Sequence, residues 1–190
     1  MLAIKTDDFV DQPPMLMSQW IARTVQQQVS SLPFAYFFKP STVLVPVPSS
    51  SLMQPGTLWV PNRIAKALVA RGIGREVVEC LARVKPIRKA AISDPSQRPS
   101  PAEQFETIGV QGRISEPKPD EIVLVDDIVT RGATLLGAAN RLAEAFPSAR
   151  VCGFAAMRTI SDSSEFERLY HPVQGIIRYR EATGDTLRRP

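Results

Sequence analysis

Glu121-Ile122-Val123-Leu124-Val125-Asp126-Asp127-Ile128-Val129-Thr130-Arg131-Gly132-Ala133-Thr134-Leu135 is the stretch that decides the fold. Ile122 to Val125 are consecutive aliphatic residues, the pattern of a strand buried on both faces of a parallel sheet. Two carboxylates follow at once, at the strand's carboxyl end, where open α/β sheets bind their ligands. Successive side chains of an extended chain point to opposite sides, so Asp126 and Asp127 are expected to have different partners. Gly132 allows a tight turn and a close approach of ligand to backbone. Thr130 and Thr134 bring hydroxyls to the same loop, and Arg131 brings positive charge. From Ala133 to Ala145 the chain is rich in Ala and Leu at helical spacing, with Arg141 and Glu144 on the predicted exposed side. Such a unit suits a sugar phosphate. Its carboxylates accept hydrogen bonds from vicinal hydroxyls, while the loop and the helix N-terminus offer N–H groups to a phosphate.

The run from Asp126 to Thr134 resembles the 5-phosphoribosyl 1-diphosphate (PRPP) motif of type I phosphoribosyltransferases. The resemblance implies that Asp126 and Asp127 form the catalytic acidic pair, holding the ribose 2′- and 3′-hydroxyls. Thr130, Arg131, Gly132, Ala133 and Thr134 would then wrap the 5′-phosphate. Many 6-oxopurine salvage enzymes of that family carry an Asp where this chain has Thr130. A threonine cannot do acid/base work near neutral pH, which argues against hypoxanthine or guanine as acceptor.

A second aliphatic strand, Val43-Leu44-Val45-Pro46-Val47, ends in Pro48-Ser49-Ser50. Leu58 to Arg71 follows, with Trp59, Asn62, Ile64, Ala65 and Leu68 at helical spacing and Gly72 as its stop. By itself the turn reads as a Pro-terminated strand with a Ser-rich connection. Together with the first motif, the Val-Pro-Val-Pro turn and the Asn62 helix resemble the ComF-like branch, named for a bacterial competence protein. The resemblance implies that Pro48, Ser49 and Ser50 bind pyrophosphate through backbone amides, often in unusual peptide geometry.

Glu79 to Val84 is a further strand candidate, followed by Lys85, Arg88 and Lys89. These cations form either a solvated basic edge or, by resemblance, the charge that neutralises the leaving pyrophosphate. Residues about 88–107 are polar and Pro-containing, with little apolar periodicity, which reads as a long loop. Within it, Ser96 to Gln104 resembles the Gln- and Arg-containing loop of ComF-like proteins, and the family has a mobile loop here that closes over PRPP. The implied reaction is substitution at the anomeric carbon by a nitrogen nucleophile, with placement and electrostatics as the protein's contribution. Magnesium is the implied cofactor, carried in on PRPP oxygens with Asp126 and Asp127 as candidate carboxylates and no dedicated protein cage.

The chain has 190 residues and a formal net charge of +4, which suits one α/β domain. The expected architecture is a doubly wound parallel sheet like that of type I phosphoribosyltransferases, its core at about 43–157. A helix within Met15 to Leu32 and a C-terminal strand at Gly175 to Arg180 with a loose tail are the additions. No apolar run approaches membrane-spanning length, and Lys5, Asp7 and Asp8 interrupt any secretory pattern, so no membrane partner and a cytoplasmic location are expected. Cys80 and Cys152 lie in aliphatic strand candidates and read as buried free thiols. Two cysteines and one histidine, His171 in a predicted surface turn, cannot build the zinc module that many ComF-like proteins carry. Arg178, Arg180, Arg188 and Arg189, with Tyr179 the one aromatic between them, give only a weak nucleic-acid signal. The implied partners are PRPP and a small nitrogenous acceptor or nucleotide, and a homodimer is compatible with the sequence. The alternative reading is a non-catalytic PRPP or nucleotide sensor, or a ComF-like partner in DNA uptake or processing.

Overall fold

The computed structural model describes residues 2–88, 98–112, 118–160, 164, 166–168 and 171–189. In chain order the elements are α1 (Leu2–Thr6), β1 (Phe9–Val10), β2 (Met15–Leu16), α2 (Met17–Gln28), β3 (Val43–Pro46) and α3 (Val60–Val69). Then come β4 (Glu76–Val77), β5 (Leu81–Arg83), α4 (Pro101–Thr107), β6 (Ile108–Val110) and β7 (Glu121–Val129). The last are α5 (Ala133–Ala145), β8 (Arg150–Arg158), β9 (Ile176–Arg180) and β10 (Asp185–Arg189). Four of the strands form a parallel sheet in the order β4-β3-β7-β8, flanked by helices. Val45 lies opposite Leu124, and Val125 opposite Phe154.

The continuous aliphatic runs make this sheet two-faced. Leu44, Val123 and Val125 pack with Ile21, Ala22 and Val25 of α2 and with Ile64 and Leu68 of α3. Val43, Val45, Ile122 and Leu124 face the other way, against Leu135, Ala138 and Leu142 of α5 and against Leu81 and Ile108. Each of these fully buried aliphatic side chains contributes about 1.5–3 kcal/mol relative to exposure. The N-terminal helix expected within Met15 to Leu32 is α2, and it packs against α3. The chain leaves β3 by α3 toward β4 and leaves β7 by α5 toward β8. The two crossovers run in opposite directions over opposite faces, so a crevice opens between the carboxyl ends of β3 and β7.

Several sequence expectations are corrected. The strand read as ending at Val125 continues through both carboxylates to Val129, because β8 keeps pairing alongside with Ile128 opposite Met157. On the other side β3 stops at Pro46, so the acidic pair stands beyond its last β3 partner. The outer neighbour of β3 in the sheet is the short β4, which periodicity does not distinguish from the Glu79 to Val84 candidate just after it. Within that candidate only β5 is a strand, and it pairs antiparallel with β6 in a separate ribbon.

The polar stretch at about 88–107 is not all loop. Its end is α4, which starts with Pro101 in the first turn and a capping box. Ser100 accepts from the Glu103 N–H and the Glu103 carboxylate accepts from the Ser100 N–H. Lys89 and residues 90–97 of that stretch, including Ser96 and Gln97, lie outside the described residues. The tail is not loose either. Arg180 and Asp185 close a turn in which Gly184 has φ +63°, and β9 and β10 pair as a hairpin. Arg141, placed on the exposed side of α5 by periodicity, lies beneath α4. Its guanidinium stacks 3.7 Å from the centre of the Phe105 ring and donates to the Phe105 carbonyl.

Cys80 and Cys152 are free thiols, Cys80 buried and Cys152 half-buried; burial pushes the Cys80 thiol up to about 11. His171 is partly covered, with Nε2 3.4 Å from the Glu167 carboxylate. No helix among the described residues is long and apolar enough to cross a membrane.

Candidate functional site

Thr130 to Thr134 form the connection from β7 into α5. Gly132, with φ +89°, is the residue before the first helical turn, and no side chain caps that turn. The Leu136 N–H is the first to bond back, to the Gly132 carbonyl, and the earlier N–H groups of the helix have no backbone partner among the described residues, as at any helix start that can meet an anion. The loop borders a groove whose walls include Asp126, Thr130, Gly132, Thr134, Gln104 and Arg98. Ala133 and Arg131 also line it.

The two carboxylates part company as the strand pleat requires. Asp126 is on the α5 side, in the groove. Asp127 is 6% exposed, on the α2 and α3 side, with Oδ2 2.6 Å from Nζ of Lys5 in α1. Desolvation, and then the Asp127 charge beside it, push the Asp126 carboxyl well above the usual carboxylate range, while Lys5 pulls it down. A raised carboxyl means that the folded chain keeps a proton the unfolded chain has released. Its stabilising contribution is complete below the ordinary carboxylate range and is lost as pH rises through the folded value. Urea midpoints of the native protein should therefore decline from acid toward neutral pH. The decline should flatten in Asp126→Asn and extend to higher pH in Lys5→Met. An Asp126→Asn variant with the native slope would refute the assignment.

Arg131 lines the groove, but its guanidinium is paired with the Asp185 carboxylate of β10. Arg188 of the same strand donates from Nε to the Thr130 carbonyl at 2.8 Å. Ile177 of β9 packs at Gly132, where an added Cβ would sit 2.5 Å from its Cδ1. The C-terminal hairpin thus braces the loop from Thr130 to Thr134 from outside. It also divides the four late arginines, since Arg188 turns inward while Arg178, Arg180 and Arg189 stay exposed.

Pro48, Ser49 and Ser50 follow β3 across the crevice. The Val47 N–H bonds the Val125 carbonyl, and the Trp59 indole N–H bonds the Val47 carbonyl, which fixes the loop's origin beside β7 and α3. Ser49 Oγ accepts from the Ser51 N–H and donates to the Ser51 carbonyl. The peptide bonds here are trans; among the described residues only Gln12–Pro13 is cis. The Ile87 N–H bonds the Ser50 carbonyl at 3.0 Å, so the segment holding Lys85 and Arg88 lies against this loop. Lys85 is exposed; Arg88 is 3.2 Å from a Glu103 carboxylate oxygen in α4.

Lys5 and Arg83, which no motif names, lie at the site with Arg98 of the Ser96 to Gln104 stretch. Lys5 covers Asp127. Arg98 lines the groove with a buried Nε that has no hydrogen-bond partner among the described residues, a donor that an anion would satisfy. Arg83 is 5% exposed and reaches under the serine loop. The available signal for Arg83 was a charge sharing strand parity with Leu81 in an otherwise aliphatic run.

No protein-family model matches the chain, and no curated protein matches it. Fold and site together define an α/β protein with a groove at the carboxyl edge of a parallel sheet.

Proposed function

We propose that the chain binds PRPP and transfers its 5-phosphoribosyl group to a nitrogenous acceptor, releasing pyrophosphate, with a fold of the type I phosphoribosyltransferase kind. One observation carries the reading. An uncapped helix start with a groove-facing carboxylate and a serine loop fed by cations open side by side from adjacent parallel strands. That spacing of functions matches a ligand with a phosphate at one end, vicinal hydroxyls in the middle and a diphosphate at the other. In this reading the N–H groups after Gly132 and the Thr134 hydroxyl take the 5′-phosphate, and Asp126 takes the ribose hydroxyls. Ser49, Ser50 and Lys85 face the diphosphate. Orientation and charge compensation supply the rate enhancement, with no protein nucleophile.

Magnesium fits this donor set. Asp126 is a groove-facing carboxylate of the kind that holds the ion with ligand oxygens and water, and Asp127 would join only by giving up Lys5. When bound, the ion compensates the diphosphate charge.

The contact of Lys5 with Asp127 favours a second reading, a PRPP or nucleotide sensor in which only one carboxylate serves the ligand. Calorimetry with PRPP and magnesium tests both. The native protein should bind, and Asp126→Asn should bind about tenfold to a hundredfold more weakly, the loss of one or two charge-assisted hydrogen bonds. No binding by the native protein would refute both readings. Binding without pyrophosphate release across a panel of bases and amines would leave the sensor.

A further inference from the structure

Arg83 is a buried cation without a counter-ion among the described residues. Its Nε donates to the Ser49 carbonyl at 3.0 Å, Nη1 to Thr107 Oγ1 at 2.6 Å and Nη2 to Gln104 Oε1 at 3.0 Å. All three acceptors are neutral, and among the described residues no carboxylate pairs with it. Burial pulls Arg83 down to about 10, which leaves it protonated at neutral pH. A protein does not bury an uncompensated charge without cost, so the missing negative charge is expected from elsewhere.

The bond to Ser49 also sets an orientation. In a trans peptide the carbonyl and the following N–H point in opposite directions. The Ser49 carbonyl is turned inward to Arg83, so the Ser50 N–H is turned away from it, and that N–H makes no hydrogen bond among the described residues. The other two bonds reach α4, whose Gln104 is also a wall of the phosphate-loop groove.

We propose that Arg83 is the positioning residue of a diphosphate subsite: it holds the Ser49–Ser50 peptide with its N–H toward the ligand and supplies the positive charge that a diphosphate neutralises. This deepens the function proposed above and rests on it. Arg83 acts from beneath the loop and need not touch the ligand. Its charge discriminates a diphosphate from the single phosphate bound at α5.

The test is calorimetry with two probes, magnesium pyrophosphate and ribose 5-phosphate, on the native chain, Arg83→Met and Thr107→Asp. Arg83→Met should weaken pyrophosphate binding about tenfold or more and ribose 5-phosphate by less than about twofold, since a hydrogen bond and a charge are lost at one subsite only. Thr107→Asp keeps Arg83 in place and gives it a carboxylate partner outside the groove. It should retain the native melting temperature yet bind pyrophosphate about threefold to tenfold more weakly. A purely structural Arg83 would leave that variant's affinity unchanged, which would overturn the proposal even if Arg83→Met fails to fold. Equal losses for both probes in Arg83→Met would overturn it as well. A native chain that binds ribose 5-phosphate but not pyrophosphate would overturn this inference and spare the phosphate loop. One that binds neither would overturn the proposed function itself.

Discussion

Gly132→Val should weaken binding of ribose 5-phosphate about a hundredfold and loosen the C-terminal hairpin at once. Gly132 has φ +89° at the start of α5, a conformation that costs an L-residue about 1–2 kcal/mol and is most unfavourable for a β-branched one. The added Cβ would also meet Ile177, 2.5 Å from Cδ1, 2.8 Å from Cγ1 and 3.0 Å from Cγ2. The Ile177 side chain can swing aside, but only by giving up its packing at the loop, and misfit of this kind costs about 1–3 kcal/mol. The backbone strain has no such outlet. Relaxing φ rotates the N–H groups of the first turn away from the groove. Losing two hydrogen bonds to a charged group, at about 1.5 kcal/mol each, is about a hundredfold in affinity. Urea unfolding and calorimetry on the same preparation measure the two effects. A valine variant with native stability and native affinity would mean that neither the left-handed turn nor the hairpin contact matters to the site.

How much of this was legible in the sequence depends on whether the cause is local. The β7 to α5 unit was, because its aliphatic run, carboxylates, glycine and Ala/Leu periodicity are contiguous, and the helix runs over the expected Ala133–Ala145. The β3 and α3 unit was readable for the same reason. Pairing with β8 kept β7 extended past its apolar run, a tertiary effect that no reading of residues 121–129 alone contains. The seven-residue α4 carries too few turns for periodicity, so its stretch read as loop. The C-terminal hairpin was opaque because its anchors are distant in sequence: Asp185 to Arg131, Arg188 to Thr130 and Ile177 to Gly132.

The candidate site shows the same division. Of the residues named from the motif, Asp126 and the loop from Thr130 to Thr134 line one groove, while Asp127 lies on the other face against Lys5. What the motif could not convey was how their charges are already engaged. Asp127 faces Lys5, Arg131 faces Asp185 and Arg88 faces Glu103, each pair closed by a residue 15 to 122 positions away that pattern reading treats as unrelated. Beside the exposed Lys85, the cations left for a ligand lie outside the two strand motifs. Arg98 reaches the groove from the segment before α4, and Arg83 lies under the serine loop. Both depend on where α4 sits.

Gly137→Ala tests that dependence, and the sign of its effect is informative. In an ordinary helix interior alanine is better than glycine by about 1 kcal/mol, so a neutral site predicts stabilisation. Here α4 crosses α5 directly over Gly137. A Cβ would lie 2.6 Å from the Gln104 Cβ, 2.9 Å from the Phe105 backbone nitrogen and 2.9 Å from the Pro101 carbonyl oxygen. Two of these are backbone atoms, and no rotamer change relieves them. The helices must separate, at about 1–3 kcal/mol, which exceeds the propensity gain through most of its range. Separation weakens the Arg141 stack on Phe105 and draws Gln104 and Thr107 away from Arg83, so the groove wall and the serine loop lose their shared support together. The expected result is a lower urea midpoint for Gly137→Ala, a larger fall for Gly137→Leu, and weaker binding of magnesium pyrophosphate in both. An alanine variant more stable than the native protein, with unchanged pyrophosphate affinity, would show that α4 is not seated on α5 as described. It would also remove the physical link between Arg83 and the groove.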